Sequence, residues 1–334
     1  HAIFRYGVQD LLPANVEMVH GPGCPVCVLP RGRLDMAIDL AMRPEVILCT
    51  YGDMLRVPGS KRRSLLQAKA EGADVRMVYS AADALSIARA EPAREVVFFA
   101  IGFETTTPPT AVALKQAMDE GLANFSVLCN HVLTPAATAA ILDAPAGAVA
   151  IDGCLGPAHG SVVIGTEPYD VFARAYGKPV VVAGFEPLDV LQSILMLLRQ
   201  LNDGRAEVEN QYTRAVTRTG NAKAQGLMRE LFERRDAFEW RGLGQIPRSG
   251  LRLRADHAAF DAELRFALAE TTARENRACR CPEILRGAAK PHDCALFATV
   301  CVPENPIGAC MVSAEGACAA YYAYRRHPPV RPSP

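Results

Sequence analysis

Short apolar runs alternate with amphipathic segments through roughly the first 200 residues. Apolar runs of about four to eight residues are typical of strands buried on both faces, whereas apolar residues spaced three and four apart are typical of helices. Strands are predicted over 16–19, 46–49, 75–79, 96–101, 126–129, 148–151 and 180–183. Helices are predicted over 31–42, 65–71, 81–90, 109–120, 135–142, 169–176 and 187–201.

This alternation of strand and helix predicts an α/β fold built on parallel sheets. Right-handed crossovers place the loops that follow the strands along one edge of each sheet, where functional loops are usually found. One pattern, a strand followed by Gly-Phe-Glu and a helix, occurs at 102–104 and again at 184–186. The repeat predicts two similar parallel-sheet domains.

The alternation of predicted strands and helices ends after residue 202. A helix-like segment over 222–234 and a turn over 240–244 then precede a cysteine-rich C-terminal region. The proline-rich residues 328–334 are predicted to be a disordered tail. We therefore predict an α/β domain with a Cys-x-x-Cys loop over 1–92, a second α/β domain over 93–202 and a cysteine-rich domain over 203–334.

The charge balance limits the classes of partner. Lysine plus arginine and aspartate plus glutamate number 36 each, which gives no reason to expect nucleic acid or an anionic membrane. The longest apolar run, over 188–201, contains Asp189 and Arg199, which predicts a packed helix and not a membrane span. No signal peptide is visible, and clustered thiols in a large α/β chain favour metal or redox chemistry in a reducing cytoplasm.

Two of the 11 cysteines, Cys24 and Cys27, form a Cys-x-x-Cys motif in a loop rich in glycine and proline. Two thiols at this spacing can close a disulfide or bind one soft metal ion. Because the predicted helix over 31–42 follows, we expect Cys27 in the approach to a helix N-terminus, where the positive end of the dipole lowers a thiol pKa. The alternative is a buried loop whose cysteines pack as small hydrophobic residues.

Cysteines are concentrated again near the C-terminus, in loops rich in proline and glycine. Long gaps of this composition are typical of iron–sulfur sites, whereas structural zinc sites usually have paired Cys-x2-4-Cys knuckles. The candidate cluster ligands are Cys281, Cys294, Cys301 and Cys310, with Cys279 and Cys318 as alternates. The remaining cysteines stand alone and are predicted to pack in the core or line a loop: Cys49, Cys129 and Cys154.

Four polar residues at strand ends are candidates for a cleft: Glu104, Glu186, His131 and His159. Each has a structural alternative, because a glutamate near a helix start is stabilised by the helix dipole and a histidine can hydrogen-bond a loop carbonyl. The glycine motif of dinucleotide-binding folds, the P-loop and the nucleophile elbow are all missing from the sequence. The sheet architecture alone therefore does not predict an enzyme of those classes.

Six motifs in one order, spread over nearly the whole chain, resemble signatures of the HypD family, whose members mature NiFe hydrogenases. They are His-Gly-Pro-Gly-Cys-Pro-Val-Cys at 20–27, Gly-Phe-Glu-Thr-Thr at 102–106, Gly-Phe-Glu-Pro-Leu-Asp at 184–189, Glu-Asn-Gln-Tyr at 209–212, Trp-Arg-Gly-Leu-Gly at 240–244 and Ser-Ala-Glu-Gly-Ala-Cys-Ala-Ala-Tyr at 313–321. So many long motifs make the resemblance specific.

The resemblance implies a cytoplasmic scaffold, rather than a classical turnover enzyme, on which an Fe(CN)2CO unit is assembled. It implies a HypC-type small chaperone and a HypE-type cyanide donor as partners, the hydrogenase large subunit as an indirect one, and a C-terminal domain with a 4Fe-4S cluster. Cys24 and Cys27 would be the dithiol that binds or reduces at the iron site, with electrons supplied through the cluster. Glu104, His131 and His159 would surround the iron site and shape or protonate its ligands.

The chain departs from the family pattern at three places. His1 resembles the last histidine of the motif Cys-Gly-x-His-x-His, so the expected iron-ligating cysteine is outside this sequence or has been lost. Pro-Ala-His-Gly-Ser at 157–161 stands where the family has Pro-Gly-His-Val-Ser. Some members carry a cluster cysteine at the position of Ala289, so the resemblance implies that Cys310 completes the set here.

Two other hypotheses fit the same cysteines. One is a stand-alone iron–sulfur disulfide oxidoreductase that passes electrons from the cluster to a partner disulfide. The other is an interaction module stabilised by zinc.

Overall fold

The computed structural model of the chain describes residues 1–143, 149–269, 273 and 276–325. The α-helices are α1 (Ala2–Arg5), α2 (Pro25–Val28), α3 (Arg31–Ala41), α4 (Leu65–Ala70), α5 (Ala81–Ala90), α6 (Thr107–Asp119), α7 (Thr134–Leu142), α8 (Ala158–Ile164), α9 (Asp170–Tyr176), α10 (Pro187–Asn202), α11 (Ala222–Leu231), α12 (Ala262–Arg265), α13 (Cys281–Leu285) and α14 (Ala317–Tyr324). The strands are β1 (Val46–Thr50), β2 (Asp74–Met77), β3 (Glu95–Gly102), β4 (Phe125–His131), β5 (Cys154–Pro157), β6 (Val180–Ala183), β7 (Val208–Asn210), β8 (Phe232–Arg234), β9 (Ala237–Trp240), β10 (Gly244–Pro247) and β11 (Leu251–Leu253).

The larger sheet contains four parallel strands in the order β2-β1-β3-β4. Every residue of β1 and β4 is buried, as the continuous apolar runs predict, whereas the edge strand β2 is only partly buried. Alternate residues of β3 point into two separate apolar clusters, with Val97 and Phe99 in one and Val96 and Phe98 in the other. The sheet is therefore covered on both faces, as expected for parallel strands.

The two faces have different coverings. Residues of α2, α3 and the cysteine-rich C-terminal segment pack into one cluster with Val97 and Phe99. Residues of α5, α6, β8 and β11 pack into the other cluster with Val96 and Phe98. The C-terminal segment therefore returns to the face on which the Cys-x-x-Cys motif lies.

A second parallel sheet has the order β5-β6-β7. On one face Tyr169 and Phe172 pack against Val180 and Val182. Helix α10 also contacts this sheet, and its Val190 packs in a small cluster with residues of the N-terminal segment. The repeated pattern of strand, Gly-Phe-Glu and helix is confirmed, with β3 leading to α6 and β6 leading to α10.

Two antiparallel pairs follow, β8 with β11 and β9 with β10. The predicted turn over 240–244 is the connection between β9 and β10, and Gly242 and Gly244 adopt positive φ values of 80° and 78° there. The α/β class with parallel sheets and a cysteine-rich C-terminal region is confirmed. In the part of the chain that the structure describes, no helix is long and apolar enough to span a lipid bilayer.

The predicted boundary between 92 and 93 falls inside the larger sheet. Strands β1 and β3, which flank that boundary, are hydrogen-bonded neighbours, and Val46 to Cys49 pair with Glu95 to Phe98. The boundary between 202 and 203 likewise separates β6 from its partner β7. A crossover connection gives no local signal of a domain boundary, because a parallel sheet pairs strands distant in sequence.

Several element predictions need correction. The predicted strand over 16–19 is wrong: this segment is irregular and runs beside the C-terminal region, where Glu17 pairs with Lys290 at 2.5 Å. The strand predicted over 148–151 is absent from 149–151, and residue 148 lies outside the described residues, as does the tail over 328–334. The strand β5 forms instead over Cys154–Pro157, and the helix predicted over 222–234 ends at Leu231 and continues as β8.

Candidate functional site

Cys24 and Cys27 are held by the short helix α2. Cys24 caps the helix N-terminus and its Sγ accepts a hydrogen bond from the Cys27 N–H at 3.1 Å, while Pro25 occupies the first helical position. Proline suits that position because its fixed φ matches a helix and its missing N–H would have no helical partner. The sequence predicts Cys27 in the approach to α3. In the structure Cys27 lies inside the separate short helix α2.

The two cysteines form a disulfide, with their Cα atoms 5.2 Å apart. Both are buried, Cys24 with 2% and Cys27 with 0% of its surface exposed. The predicted proximity of the pair is confirmed. Burial of the bond means that a reductant or an iron ion reaches these sulfurs only if neighbouring residues move.

The disulfide lies against the C-terminal cysteine region. The Sγ of Cys27 is 4.0 Å from the carbonyl oxygen of Ala309, in the turn that also contains Cys310. Arg56 donates hydrogen bonds to the carbonyl oxygens of Pro303 at 3.3 Å and Val312 at 3.1 Å, which holds this segment against the first sheet. The two sulfur groups at opposite ends of the chain are therefore neighbours.

Four of the late cysteines meet at Cys281, the first residue of α13. Hydrogen bonds to Cys279 and Cys310 raise the pKa of Cys281 well above its usual value, and a hydrogen bond to Cys318 acts in the opposite direction. Gly308 makes room for two of these sulfurs, since a Cβ built on it would be 2.6 Å from the Sγ atoms of both Cys279 and Cys281. The alternates Cys279 and Cys318 therefore hydrogen-bond Cys281, as the favoured Cys310 does.

Cys294 and Cys301 contact backbone groups of neighbouring segments. The Sγ of Cys301 accepts a hydrogen bond from the Ile307 N–H at 3.4 Å, and burial raises the pKa of this thiol. The Sγ of Cys294 is 3.9 Å from the carbonyl oxygen of Ala278. Both cysteines are buried in the same cluster as Cys281.

The donor chemistry of these residues fits an iron–sulfur cluster. Soft thiolates are the ligands that such clusters use, and they commonly come from several separate turns. Among the described residues, no three or more His, Cys, Asp or Glu side chains surround a point where one metal ion would be held. The thiols form a hydrogen-bonded group, and the choice of four ligands among Cys281, Cys294, Cys301 and Cys310 and their alternates stays a prediction.

Glu104 is buried at the carboxyl end of β3, with 1% of its surface exposed. Its carboxylate accepts hydrogen bonds from the N–H of Thr134 at 2.7 Å and from the Thr134 hydroxyl at 2.8 Å. Burial raises its pKa, although these hydrogen bonds act in the opposite direction. The carboxylate therefore binds the start of α7, not the start of the helix that follows it in sequence.

His159 lies on the first turn of α8, beside the second sheet. Its ring is exposed at one side and packs 5.1 Å from the ring of Phe185, and partial desolvation lowers its pKa. The following residue, Gly160, is close to Glu104, because a Cβ built on it would be 3.8 Å from Glu104 Oε2. The structure thus brings Glu104 close to the first turn of α8, which carries His159, while Glu186 is an exposed residue at the N-terminus of α10.

His131 does not face the disulfide. It is fully buried on the same face of the sheet as Cys129, where its Nε2 lies 2.9 Å from the Thr110 hydroxyl and its ring packs against Phe232. Burial lowers its pKa to about 4. Because Cys24 packs on the opposite face, the expectation that His131 surrounds the iron site is wrong.

His1 lies near the C-terminal helix. Its Nε2 is 3.1 Å from the Tyr324 hydroxyl, on the helix α14 that also carries Cys318.

Of the lone cysteines, Cys49 and Cys129 are buried in the core, as predicted, and Cys154 is partly buried at the start of β5. No local sequence signal marks Gly308, Ala309 or Thr134, because their roles depend on contacts between distant segments.

Comparison with known proteins identifies relatives along the whole described chain. Residues 1–325 match the model of the HypD family, described as "Hydrogenase formation hypA family". The "Hydrogenase maturation factor HypD" of Rhizobium leguminosarum bv. viciae is 66% identical over 330 residues, covering 98% of this chain and 86% of that protein. The protein of the same description from Azotobacter vinelandii is 66% identical over 329 residues, covering 98% and 87%. That from Escherichia coli (strain K12) is 50% identical over 326 residues, covering 98% and 87%.

Proposed function

Because this chain belongs to the HypD family, we propose that it is a hydrogenase maturation factor that serves as the scaffold on which an Fe(CN)2CO unit is assembled for NiFe hydrogenases. The observation that carries this proposal is the packing of the Cys24–Cys27 disulfide against the turn that contains Cys310. A redox-active sulfur pair beside a group of thiols suits a protein that both binds iron and receives electrons.

In this proposal Cys24 and Cys27 act on the iron ion, which is cargo and not a resident cofactor. Reduction of their disulfide produces two thiols, and as thiolates these are soft ligands suited to iron that carries cyanide and carbon monoxide. The buried position keeps water away from the sulfurs. His1, near α14, would be the part of the upstream family motif that this sequence contains.

The resident cofactor that the family implies is a 4Fe-4S cluster, held by Cys281, Cys294, Cys301 and Cys310, with Cys318 and Cys279 as alternates. When bound, the cluster would supply electrons one at a time. The protein contributes the buried sulfur donors, and Gly308 leaves room for two of them. Deprotonation of these thiols on binding would remove the hydrogen bonds that now link them at Cys281.

Glu104 and His159 would shape the entry to this region. Glu104 precedes α6 directly after Phe103, whose ring packs 6.1 Å from the ring of Trp240 in the cluster that contains both dithiol residues. Its raised pKa suits a carboxyl group that holds a proton at the strand end. Partners would be a HypC-type small chaperone and a HypE-type cyanide donor, all in the cytoplasm, with the hydrogenase large subunit receiving the product indirectly.

The test is infrared spectroscopy on the chain, extended at its N-terminus to include the family motif and purified with a HypC-type partner. Bands from bound cyanide and carbon monoxide are expected in the unsubstituted protein and should be lost in Cys24→Ala and Cys27→Ala. Cys154→Ala is a matched control because this cysteine lies at the second sheet, in a different cluster. Full bands in both dithiol variants would contradict the proposal.

The same samples separate the alternatives. A stand-alone iron–sulfur disulfide oxidoreductase would reduce a partner disulfide and show iron and sulfide, but no cyanide or carbonyl bands. A zinc-stabilised module would contain zinc and be colourless, since iron–sulfur thiolate proteins absorb visible light.

A further inference from the structure

Residues 60–63 form a surface turn with three consecutive basic side chains. The Arg63 N–H donates to the carbonyl oxygen of Ser60 at 3.1 Å, which closes the turn. The two central residues, Lys61 and Arg62, are exposed and have φ values of 56° and 63°. Two residues with positive φ in succession are typical of a type I′ turn, in which Asn-Gly is the preferred sequence.

The basic pair strains the backbone of this turn. In the left-handed region the Cβ of an ordinary residue comes too close to the following carbonyl oxygen, and asparagine or glycine would reduce that strain. Strain of this kind persists where the surrounding structure fixes the conformation, and it is concentrated at functional positions. The conformation therefore indicates that the side chains of Lys61 and Arg62 have a role of their own.

The turn is fixed to the rest of the protein on two sides. Asp35 of α3 accepts hydrogen bonds from the Ser60 N–H at 2.8 Å and from the Ser60 hydroxyl at 2.6 Å. Gly59 allows this approach, since a Cβ built on it would be 2.6 Å from Asp35 Oδ1. On the other side Arg62 donates to Asn305 Oδ1 at 2.5 Å. The turn therefore lies against the segment that joins two of the candidate cluster ligands.

The two central charges of the turn are available to a partner. Arg63 pairs with Glu71 at 2.5 Å. Among the described residues, neither Lys61 nor Arg62 forms an ion pair with a carboxylate, and the hydrogen bond of Arg62 goes to a neutral amide. Exposed charges of one sign that lack a partner attract a surface of the opposite sign.

Arg56 extends this surface. It is exposed, and it donates hydrogen bonds to two carbonyl oxygens of the C-terminal segment. Asp53, three residues before it, and Glu304, on the C-terminal segment, offset part of the positive charge. We call Arg56, Lys61 and Arg62 the basic surface.

Building on the proposed function, we propose that the basic surface docks a small acidic electron-carrier protein. A carrier bound there would contact the segment that joins two of the candidate cluster ligands. In each encounter the carrier would lose one electron and the 4Fe-4S cluster would gain it, so no bond forms or breaks. Nucleic acid is the less suitable occupant, because the acidic and basic residues of the whole chain number 36 each.

The test measures binding of the full chain to immobilised flavodoxin, an acidic one-electron carrier, by biolayer interferometry at several salt concentrations. The unsubstituted chain should bind, and binding should weaken as salt rises because salt screens exposed charges. The double variant Lys61→Asn, Arg62→Gly has the residues that a type I′ turn prefers, and it should bind about tenfold more weakly because steering charges are lost. It should melt at an equal or higher temperature, which separates a docking role from a structural one.

Single substitutions supply the controls. Lys61→Glu should weaken binding at least as strongly as the double variant does, whereas Lys61→Arg keeps the charge and should stay within about twofold. Lys223→Glu is the matched control, because it reverses an exposed lysine on α11, whose Leu227 and Leu231 pack on the opposite face of the larger sheet from α3. No change in binding is expected there.

Four results would overturn the inference: no binding of flavodoxin, binding that does not respond to salt, full binding by the double variant, or equal weakening in Lys223→Glu. Equal binding of ovalbumin, an acidic protein without a redox centre, or of duplex DNA would also contradict it, since the surface would then recognise negative charge alone. Should the double variant fail to fold, Lys61→Glu decides. Normal infrared bands without docking would overturn this inference alone, and docking without the bands would contradict the proposed function alone.

Discussion

The sulfur of Cys27 lies 4.0 Å from the carbonyl oxygen of Ala309, although 282 positions separate the two residues in sequence. Ala309 is completely buried, and Met311 and Cys310 beside it are also buried. The disulfide therefore meets the C-terminal turn at the backbone carbonyl of a fully buried residue. A packed interior of this kind leaves little room for a larger side chain.

A larger residue at this contact should destabilise the fold. We expect Ala309→Leu to lower stability by about 1–3 kcal/mol, because inserting atoms into a packed core forces its neighbours apart. Differential scanning calorimetry of the disulfide-bonded chain measures the effect as a lower melting temperature. Ala82→Leu, at an exposed position on α5, is the matched control, and equal melting of the two variants would show that the contact has room to spare.

Gly308 should be needed for the late cysteines to assemble. In Gly308→Ala the new methyl group would meet the sulfurs of Cys279 and Cys281, so we expect the purified protein to contain less iron and acid-labile sulfide per chain. Elemental analysis and sulfide determination provide the measurement. Gly226→Ala is the control, since a Cβ there meets no atom within 4 Å and alanine favours the helix. Normal iron and sulfide in Gly308→Ala would refute the proposed role of this glycine.

The carboxyl group of Glu104 should make stability depend on pH. Its pKa is raised in the folded chain by burial, so folding favours the protonated form and this stabilisation is present below the ordinary glutamate pKa. This stabilisation is lost as the pH rises through the raised pKa of Glu104 in the folded chain. Glu104→Gln cannot titrate, so the melting temperature of the unsubstituted chain minus that of the variant should fall with rising pH. A difference in melting temperature that stays constant as the pH rises from the ordinary glutamate pKa through the raised one would contradict the prediction.

His131 should produce the opposite dependence. Burial lowers its pKa from 6.5 to about 4, so the folded chain keeps the neutral ring while the unfolded chain binds a proton as the pH falls below 6.5. At pH 4 this difference costs about 3 kcal/mol at about 1.4 kcal/mol per pKa unit. His131→Gln can still hydrogen-bond Thr110 and should lose less stability between pH 7 and pH 4 in urea titrations. Parallel losses in both proteins would show that other groups control the acid sensitivity.

The parallel sheets could be predicted because strands covered on both faces carry unbroken apolar runs. The segment over 16–19 has the same local pattern, yet it packs beside Gly287, where a Cβ would be 3.0 Å from Val19 Cγ2, and pairs with Lys290 through Glu17. Those neighbours are more than 260 residues away, and no local pattern indicates them. The predicted boundary after residue 92 failed to separate two sheets for the same reason.

The cysteines of the candidate site could be predicted because thiols carry recognisable chemistry wherever they stand. The proximity of the two groups of cysteines could not be predicted, because Cys27 and Cys310 are brought together by packing of the whole first sheet against the C-terminal segment. The sequence indicates Arg241 only as part of the turn motif at 240–244. Its burial between α2 and Pro282 depends on the path of three separate segments, and sequence spacing does not encode such a path.

The contact between α2 and the turn around Ala309 has a consequence during synthesis. A ribosome releases the N-terminal part first, so the dithiol helix emerges long before the segment that covers it has been made. Until the turn around Ala309 has been translated, Cys24 and Cys27 lack the covering that it provides. A chain that terminates before this turn would carry the motif without the segment that encloses the two sulfurs.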